Sequence, residues 1–167
     1  MNTAIFITGT VCSGKSTLSE RIGKSLNINV ISETNSNGFF GIIDRIKNNE
    51  FISPVIIEHA EVYNLVNNKR EYEISRYFNK MIIILLNVSD YLLIKNLNDR
   101  KLRGTTGDYL KIDMFAMKKD IENYFNEISN EYTKYIVNIK NIDDYEYEYN
   151  KIITFLTDSL KMELVVN

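Results

Sequence analysis

The chain has 167 residues and a mass of 19.5 kDa, enough for one domain with a sizeable core, and its 44% hydrophobic and 25% charged residues exclude a disordered polymer. A formal net charge of −2 with a pI near 5.5 excludes a global basic field for nucleic acid, although not a local basic patch. One cysteine excludes an internal disulfide and suits a reducing compartment. Met1 to Thr8 lacks the positive leader and long apolar segment of a signal peptide, and the strongest apolar run, "MIIILLNV", is too short to span a bilayer, so the expectation is a cytoplasmic protein with no membrane partner.

In chain order, short apolar and β-branched runs alternate with helical patterns, which predicts a parallel sheet covered by helices. Strands are expected at Ala4 to Thr8, Asn29 to Ser32, Pro54 to Ile57, Met81 to Asn87 and Tyr135 to Ile139. Helices are expected to begin near Lys15, Phe39, Ala60 and Asp90, and a long one to run from about Ile112 to Tyr132, with Met114, Met117, Ile121, Phe125 and Ile128 at helical spacing. A terminal helix is expected near Asp143, where Asp143 and Glu146 have capping-box spacing. Neither repeats nor a linker interrupts this pattern, which reads as one domain over residues 1–167.

Between the first strand and the first helix stands Gly9-Thr10-Val11-Cys12-Ser13-Gly14-Lys15-Ser16, followed by Thr17. It matches G-x-x-x-x-G-K-[ST] in the strand–loop–helix context that the motif requires. Its glycines let backbone amides turn inward as a concave anion site, and the helix adds its positive N-terminal end. Lys15 then serves as a mobile, solvent-facing charge for the β- and γ-phosphates, and the Ser16 hydroxyl as a magnesium ligand. Cys12 reads either as a thiol activated by the helix N-terminus or as a small filler.

At these residues the chain resembles the small P-loop kinases of the nucleoside and nucleotide kinase superfamily. The pattern likeness spans most of the chain, but its specific motifs are the loop, the end of the second strand and an Arg-rich segment. The resemblance implies a three-layer α/β P-loop NTPase fold, a five-stranded parallel sheet of order 2-3-1-4-5, and transfer of the γ-phosphoryl group of ATP with Mg2+. A switch GTPase would need Asp-x-x-Gly after the third strand and Asn-Lys-x-Asp later, and neither is present. A motor ATPase would need more chain to transmit force.

Glu33 ends the second strand, at the sheet edge where open α/β sheets build their sites. In the kinases that the chain resembles, an acid here contacts the acceptor and acts as general base for a hydroxyl. The plainer reading is a solvated carboxylate or a helix cap. Glu58 follows the apolar third strand and resembles a Walker B acid, suited to magnesium or to positioning the acceptor. His59, the sole histidine, reads as a loop or surface residue. Arg100 and Arg103 stand three apart before Gly104 and Gly107. A continuing helix puts both guanidiniums on one face, and the superfamily carries a closing lid here, about residues 100–111. The plainer reading is a basic helix end.

The segment "TNSNGFFGIIDRIKNNEFI", where related kinases house acceptor-binding helices, is short. A nucleoside or nucleotide acceptor with a reacting hydroxyl is the first expectation. The alternatives are a kinase acting on DNA or RNA, at a 5′-hydroxyl or a hydroxymethyl base, and a nucleotide-binding switch or ATPase. The Lys69–Lys80 basic stretch reads as a solvated helix face, "DDYEYEY" as an acidic helix start, and the Tyr-rich terminal helix as a surface that could form a homodimer.

Overall fold

A computed structural model describes residues 2–59, 70–104, 113–128 and 132–164. Five parallel strands form one sheet: β1 Thr3–Thr8, β2 Asn29–Ser32, β3 Val55–Glu58, β4 Lys80–Val88 and β5 Thr133–Ile139. Their order is β2-β3-β1-β4-β5, as the resemblance implies. β1 lies at the centre and is buried along its whole length, and β3 and most of β4 are buried too. That is why their sequences are continuous apolar runs rather than alternating ones. β5 is an edge, so its burial alternates: Val137 and Ile139 face the core while Ile136 and Asn138 are exposed.

Among the described residues the helices are α1 Lys15–Leu26, the single turn α2 Glu33–Ser36, α3 Phe39–Lys47, α4 Arg70–Ser75, α5 Asp90–Leu102, α6 Met114–Glu127 and, after the last strand, α7 Asp144–Leu164. α1 packs on β2 and β3 and against α7, α7 covers β5, and α6 covers β4. Tyr149, Ile152 and Leu156 of α7 are buried against the chain's own core, while Tyr147 is exposed. Among the described residues no helix is long and apolar enough to cross a membrane.

One boundary departs from expectation. The long helix ends at Glu127, not Tyr132. Thr133 already pairs with Ile82 of β4, so strand pairing overrides the helical period, and Tyr132 instead gives its hydroxyl to Ser75 Oγ at 3.1 Å. Ile112, its expected start, lies outside the described residues, and the Asp113 carboxylate caps the helix by accepting from the amides of Phe115 and Ala116. The terminal helix starts at Asp144, in line with the start expected near Asp143; the Asp144 carboxylate accepts from the amides of Lys140 and Asn141 at 2.8 Å, and Glu146 pairs with Arg21 at 3.0 Å. The helix expected from Ala60 falls on residues 60–69, outside the description.

Candidate active site

Parallel register brings three strand ends to one edge. Glu58 is the partner of Ile7 on β1 and of Ser32 on β2, so Glu58, Glu33 and the loop after β1 converge there. Two glycines hold the loop in its turn. Gly9 has φ +154°, and a Cβ on it would lie 2.7 Å from the Leu86 carbonyl oxygen and 3.1 Å from Ser13 Oγ. Gly14, with φ 91°, is the left-handed N-cap of α1. α1 has no side-chain cap and no acid in its first turn, so its N-terminal amides keep their affinity for an anion.

Side chains tether this loop from three directions. Thr10 Oγ1 donates to the Met114 carbonyl at 3.0 Å, fixing the loop to α6. Asn96 Nδ2 donates to the Cys12 carbonyl at 2.8 Å, fixing it to α5. Lys15 Nζ donates to the Thr10 carbonyl at 2.9 Å, and Lys15 is only 7% exposed. The lysine is therefore folded into its own loop, not projecting into solvent as the sequence reading has it. Burial lowers its pKa to about 8, with Arg100 pushing the same way and Glu58 and Glu33 opposing.

Glu58 is buried, which pushes its carboxyl pKa up. Lys15 opposes that shift, Glu33 adds to it, and a hydrogen bond from the Ser16 hydroxyl opposes it. Glu33 is the first residue of α2, but the cap is Ser32, whose hydroxyl accepts from the Asn35 amide while Asn35 Oδ1 accepts from the Ser32 amide. The Glu33 side chain is 48% exposed and lies 3.7 Å from His59 Nε2. His59 is not a surface residue. It is 1% exposed, with its ring set edge-on to Phe39 at 5.3 Å between centroids.

α5 continues through Leu102, with Arg103 as its C-cap, so Arg100 and Arg103 do share a face. Both line a cleft of about 360 Å³ beside Cys12, Gly14 and Thr17. The Arg100 charge acts on Lys15 and Cys12, whereas Arg103 Nε donates to the Asp99 carbonyl at 3.1 Å. Gly104 has φ +66°, a left-handed stop to the helix. The rest of the expected lid, 105–111 with Gly107, lies outside the described residues. For Cys12, burial raises the thiol pKa above its ordinary value, which favours a small filler over a reactive thiol.

The opposite wall of the cleft comes from the run that read as an acidic helix start. Tyr145 and Tyr149 line it. The Tyr145 hydroxyl hydrogen-bonds Asn96, and burial raises its pKa. Arg21 lies over the Tyr149 ring at 3.8 Å. The available signals were the four-residue spacing of the tyrosines and of Asn96 with Arg100, which place each pair on one helix face. The basic stretch does not form one helix face: Lys80 belongs to β4 and donates to the Ser159 carbonyl at 2.8 Å, and Lys69 lies outside the description. Among the described residues no group of three His, Cys, Asp or Glu could hold a metal.

No protein-family model matches the chain, and no curated protein matches it in sequence. Solved structures do match in fold. Deoxyadenosine kinase from M. mycoides, with the products dCMP and dCDP bound, superposes with a TM-score of 0.60 at 20% identity, over 93% of this chain and 98% of its own. The fold is that of the small P-loop kinases. Shikimate kinase from Acinetobacter baumannii, in complex with shikimate, matches with a TM-score of 0.60 at 11% identity over 96% of each chain. The YorR protein of Bacillus subtilis, in complex with phosphorylated GDP, gives 0.57 at 18% identity, again over 96% of each. In this P-loop kinase fold the loop, Glu33, Glu58 and the α5 arginines all stand at the same end of the sheet.

Proposed function

We propose that the protein is an ATP-dependent kinase that transfers the γ-phosphoryl group to a hydroxyl of a nucleoside or nucleotide. The observation that carries this reading is the convergence at one sheet edge of an uncapped phosphate-type loop, a buried Lys15 and two carboxylates, Glu33 and Glu58, of which only Glu33 is half exposed. A buried lysine with a lowered pKa gains most from a polyanion, because the triphosphate restores the charge that burial disfavours.

Gly9, Thr10, Val11, Cys12, Ser13, Gly14, Lys15, Ser16 and Thr17 form the binding segment for the triphosphate in this reading. The acceptor oxygen attacks the γ-phosphorus, the bond to the β,γ-bridging oxygen breaks, ADP leaves, and the acceptor proton passes to the Glu33 carboxylate. Arg100 and Arg103 bear on the phosphoryl oxygens as charge redistributes. The Ser16 hydroxyl and Glu58 carboxylate, hydrogen-bonded to each other, are hard oxygen donors that fit magnesium, and a divalent cation there would offset the burial of Glu58. Magnesium would supply charge neutralisation for the phosphates.

A second reading keeps this chemistry and changes the acceptor to DNA or RNA. It is favoured by the open surroundings of Glu33 and by Phe40, next to the His59-packed Phe39 and 77% exposed, a ring on which a base of a single strand could stack. One panel decides between them. γ-Labelled ATP and magnesium are incubated with nucleosides, nucleoside monophosphates and oligonucleotides bearing 5′-hydroxyls or hydroxymethyl bases. Label on a hydroxyl of a nucleoside or nucleotide supports the first reading and label on oligonucleotides alone the second. Release of phosphate with no labelled acceptor contradicts both.

A further inference from the structure

We propose that His59 is a positioning residue that holds the Glu33 carboxylate toward the acceptor. The proposal rests on the reading in which Glu33 is the base, but its first test does not.

The backbone of His59 is fixed by the sheet. Its amide donates to the Ile7 carbonyl at 3.2 Å, which extends the β1–β3 pairing one residue past Glu58. Side chains alternate along an extended chain. Glu58 accordingly meets Ser16 and Lys15, while the His59 ring goes to the α2–α3 side, packed edge-on against Phe39. The imidazole is thus immobilised from two directions. The Glu33 side chain is half exposed on a four-residue helix, and a general base assists only while its carboxylate is held within reach of the reacting hydroxyl.

At 3.7 Å between Nε2 and Oε2 the pair is longer than a hydrogen bond. Catalytic hydrogen bonds are often long without substrate and tighten in the Michaelis complex, and closing this one needs a movement of less than about one ångström. A carboxylate held through one oxygen offers the other to the acceptor. The arrangement is base plus orienting group, with the acid and imidazole in exchanged roles relative to hydrolase triads. Glu33 in turn acts on Lys15 of α1 and on Glu58 of β3.

Because His59 is the only histidine, untagged ¹⁵N-labelled full-length protein reports its ring without overlap. The expected spectrum shows the neutral ring protonated at Nε2. Glu33→Gln is expected to move the Nε2 signal, since the Glu33 carboxylate is the group that faces Nε2 at 3.7 Å. An unmoved signal would overturn the proposal.

The second arm is turnover of γ-labelled ATP with a mixture of deoxyadenosine, deoxycytidine, deoxyguanosine, thymidine and a 5′-hydroxyl oligonucleotide. His59→Leu should lower kcat about 10-fold with KM for ATP nearly unchanged, and His59→Gln, which can still donate, should recover most of it. In the Glu33→Gln background the same His59→Leu change should cost less than about 2-fold, since the two residues act as a unit. Multiplicative losses would overturn the positioning role while leaving Glu33 as base. Should His59→Leu fail to fold, the cycle with His59→Asn is read the same way. A silent Glu33→Gln would sink the base itself and the role of His59 with it, even where the spectrum confirms the contact.

Discussion

Lys15 Nζ donates to the carbonyl of Thr10, five residues earlier in the same loop, at 2.9 Å. The ammonium that the motif reserves for phosphate is thereby buried against a neutral oxygen. Its pKa of about 8 lies below the ordinary 10.5, so between those values the unfolded chain binds more protons than the folded one. The buried charge therefore costs stability in full below pH 8, and the cost fades as pH rises toward 10.5. Lys15→Met is expected to abolish transfer yet to raise stability at pH 7, by up to about 3 kcal/mol. That advantage should shrink as melting is measured toward pH 10. A variant less stable than the parent at pH 7 would contradict this account.

The same titration bears on activity. Phosphate binding needs the charged lysine, so kcat/KM for ATP, which reports the free protein, should fall as pH rises through about 8. kcat should hold to higher pH, because bound triphosphate restores the charge. Parallel decline of both parameters would point to another group.

Gly9→Ala should be among the most damaging substitutions in the loop. The new methyl would meet the Leu86 carbonyl oxygen at 2.7 Å, at φ +154°. A β4 backbone atom cannot withdraw as a flexible side chain could, so a loss on the order of 3 kcal/mol is expected. Denaturant titration of the purified variant measures it, and a midpoint unchanged from wild type would contradict the packing described.

Most of the fold was legible in the sequence because it is built of buried strands. β2 falls where its β-branched run ends at Ser32, and β1 and β4 extend only a residue beyond their apolar runs. The end of α6 was not legible, since Tyr132 continues a helical period that strand pairing at Thr133 overrides. Within the candidate site the loop glycines announced their turn. The burial of Lys15 and His59 did not appear, because burial follows from which elements pack above a residue and not from its neighbours in sequence. Tyr145 and Asn96 were hidden for the same reason: they meet across α5 and α7, 49 positions apart in number.

Asn96 is expected to act through loop geometry. Asn96→Leu removes the donor to the Cys12 carbonyl and the partner of the Tyr145 hydroxyl. KM for ATP should rise roughly 5- to 10-fold, in line with a net hydrogen-bond contribution of about 1 kcal/mol, with kcat changed less. Steady-state kinetics at saturating acceptor separates the two, and a pure kcat effect would contradict a ground-state role.

Arg100 and Arg103 should separate although they share a helix face. Arg100 is felt at Lys15 and Cys12, while Arg103 is engaged with the Asp99 carbonyl. Arg100→Ala should lower kcat by about 10²-fold or more, the scale of losing a charge contact made in the transition state, and Arg103→Ala by less. Equal, small effects would return this segment to a basic helix end.

The most direct measurement of the central claim is kcat for phosphoryl transfer by wild type and Glu33→Gln on the acceptor labelled in the panel. The amide keeps the size of Glu33 and removes its basicity. With a hydroxyl as nucleophile, kcat should fall by roughly 10²–10⁴-fold, with nucleotide affinity nearly unchanged. Near-normal kcat in Glu33→Gln would contradict hydroxyl phosphorylation, leaving an acceptor that needs no base, such as a phosphate.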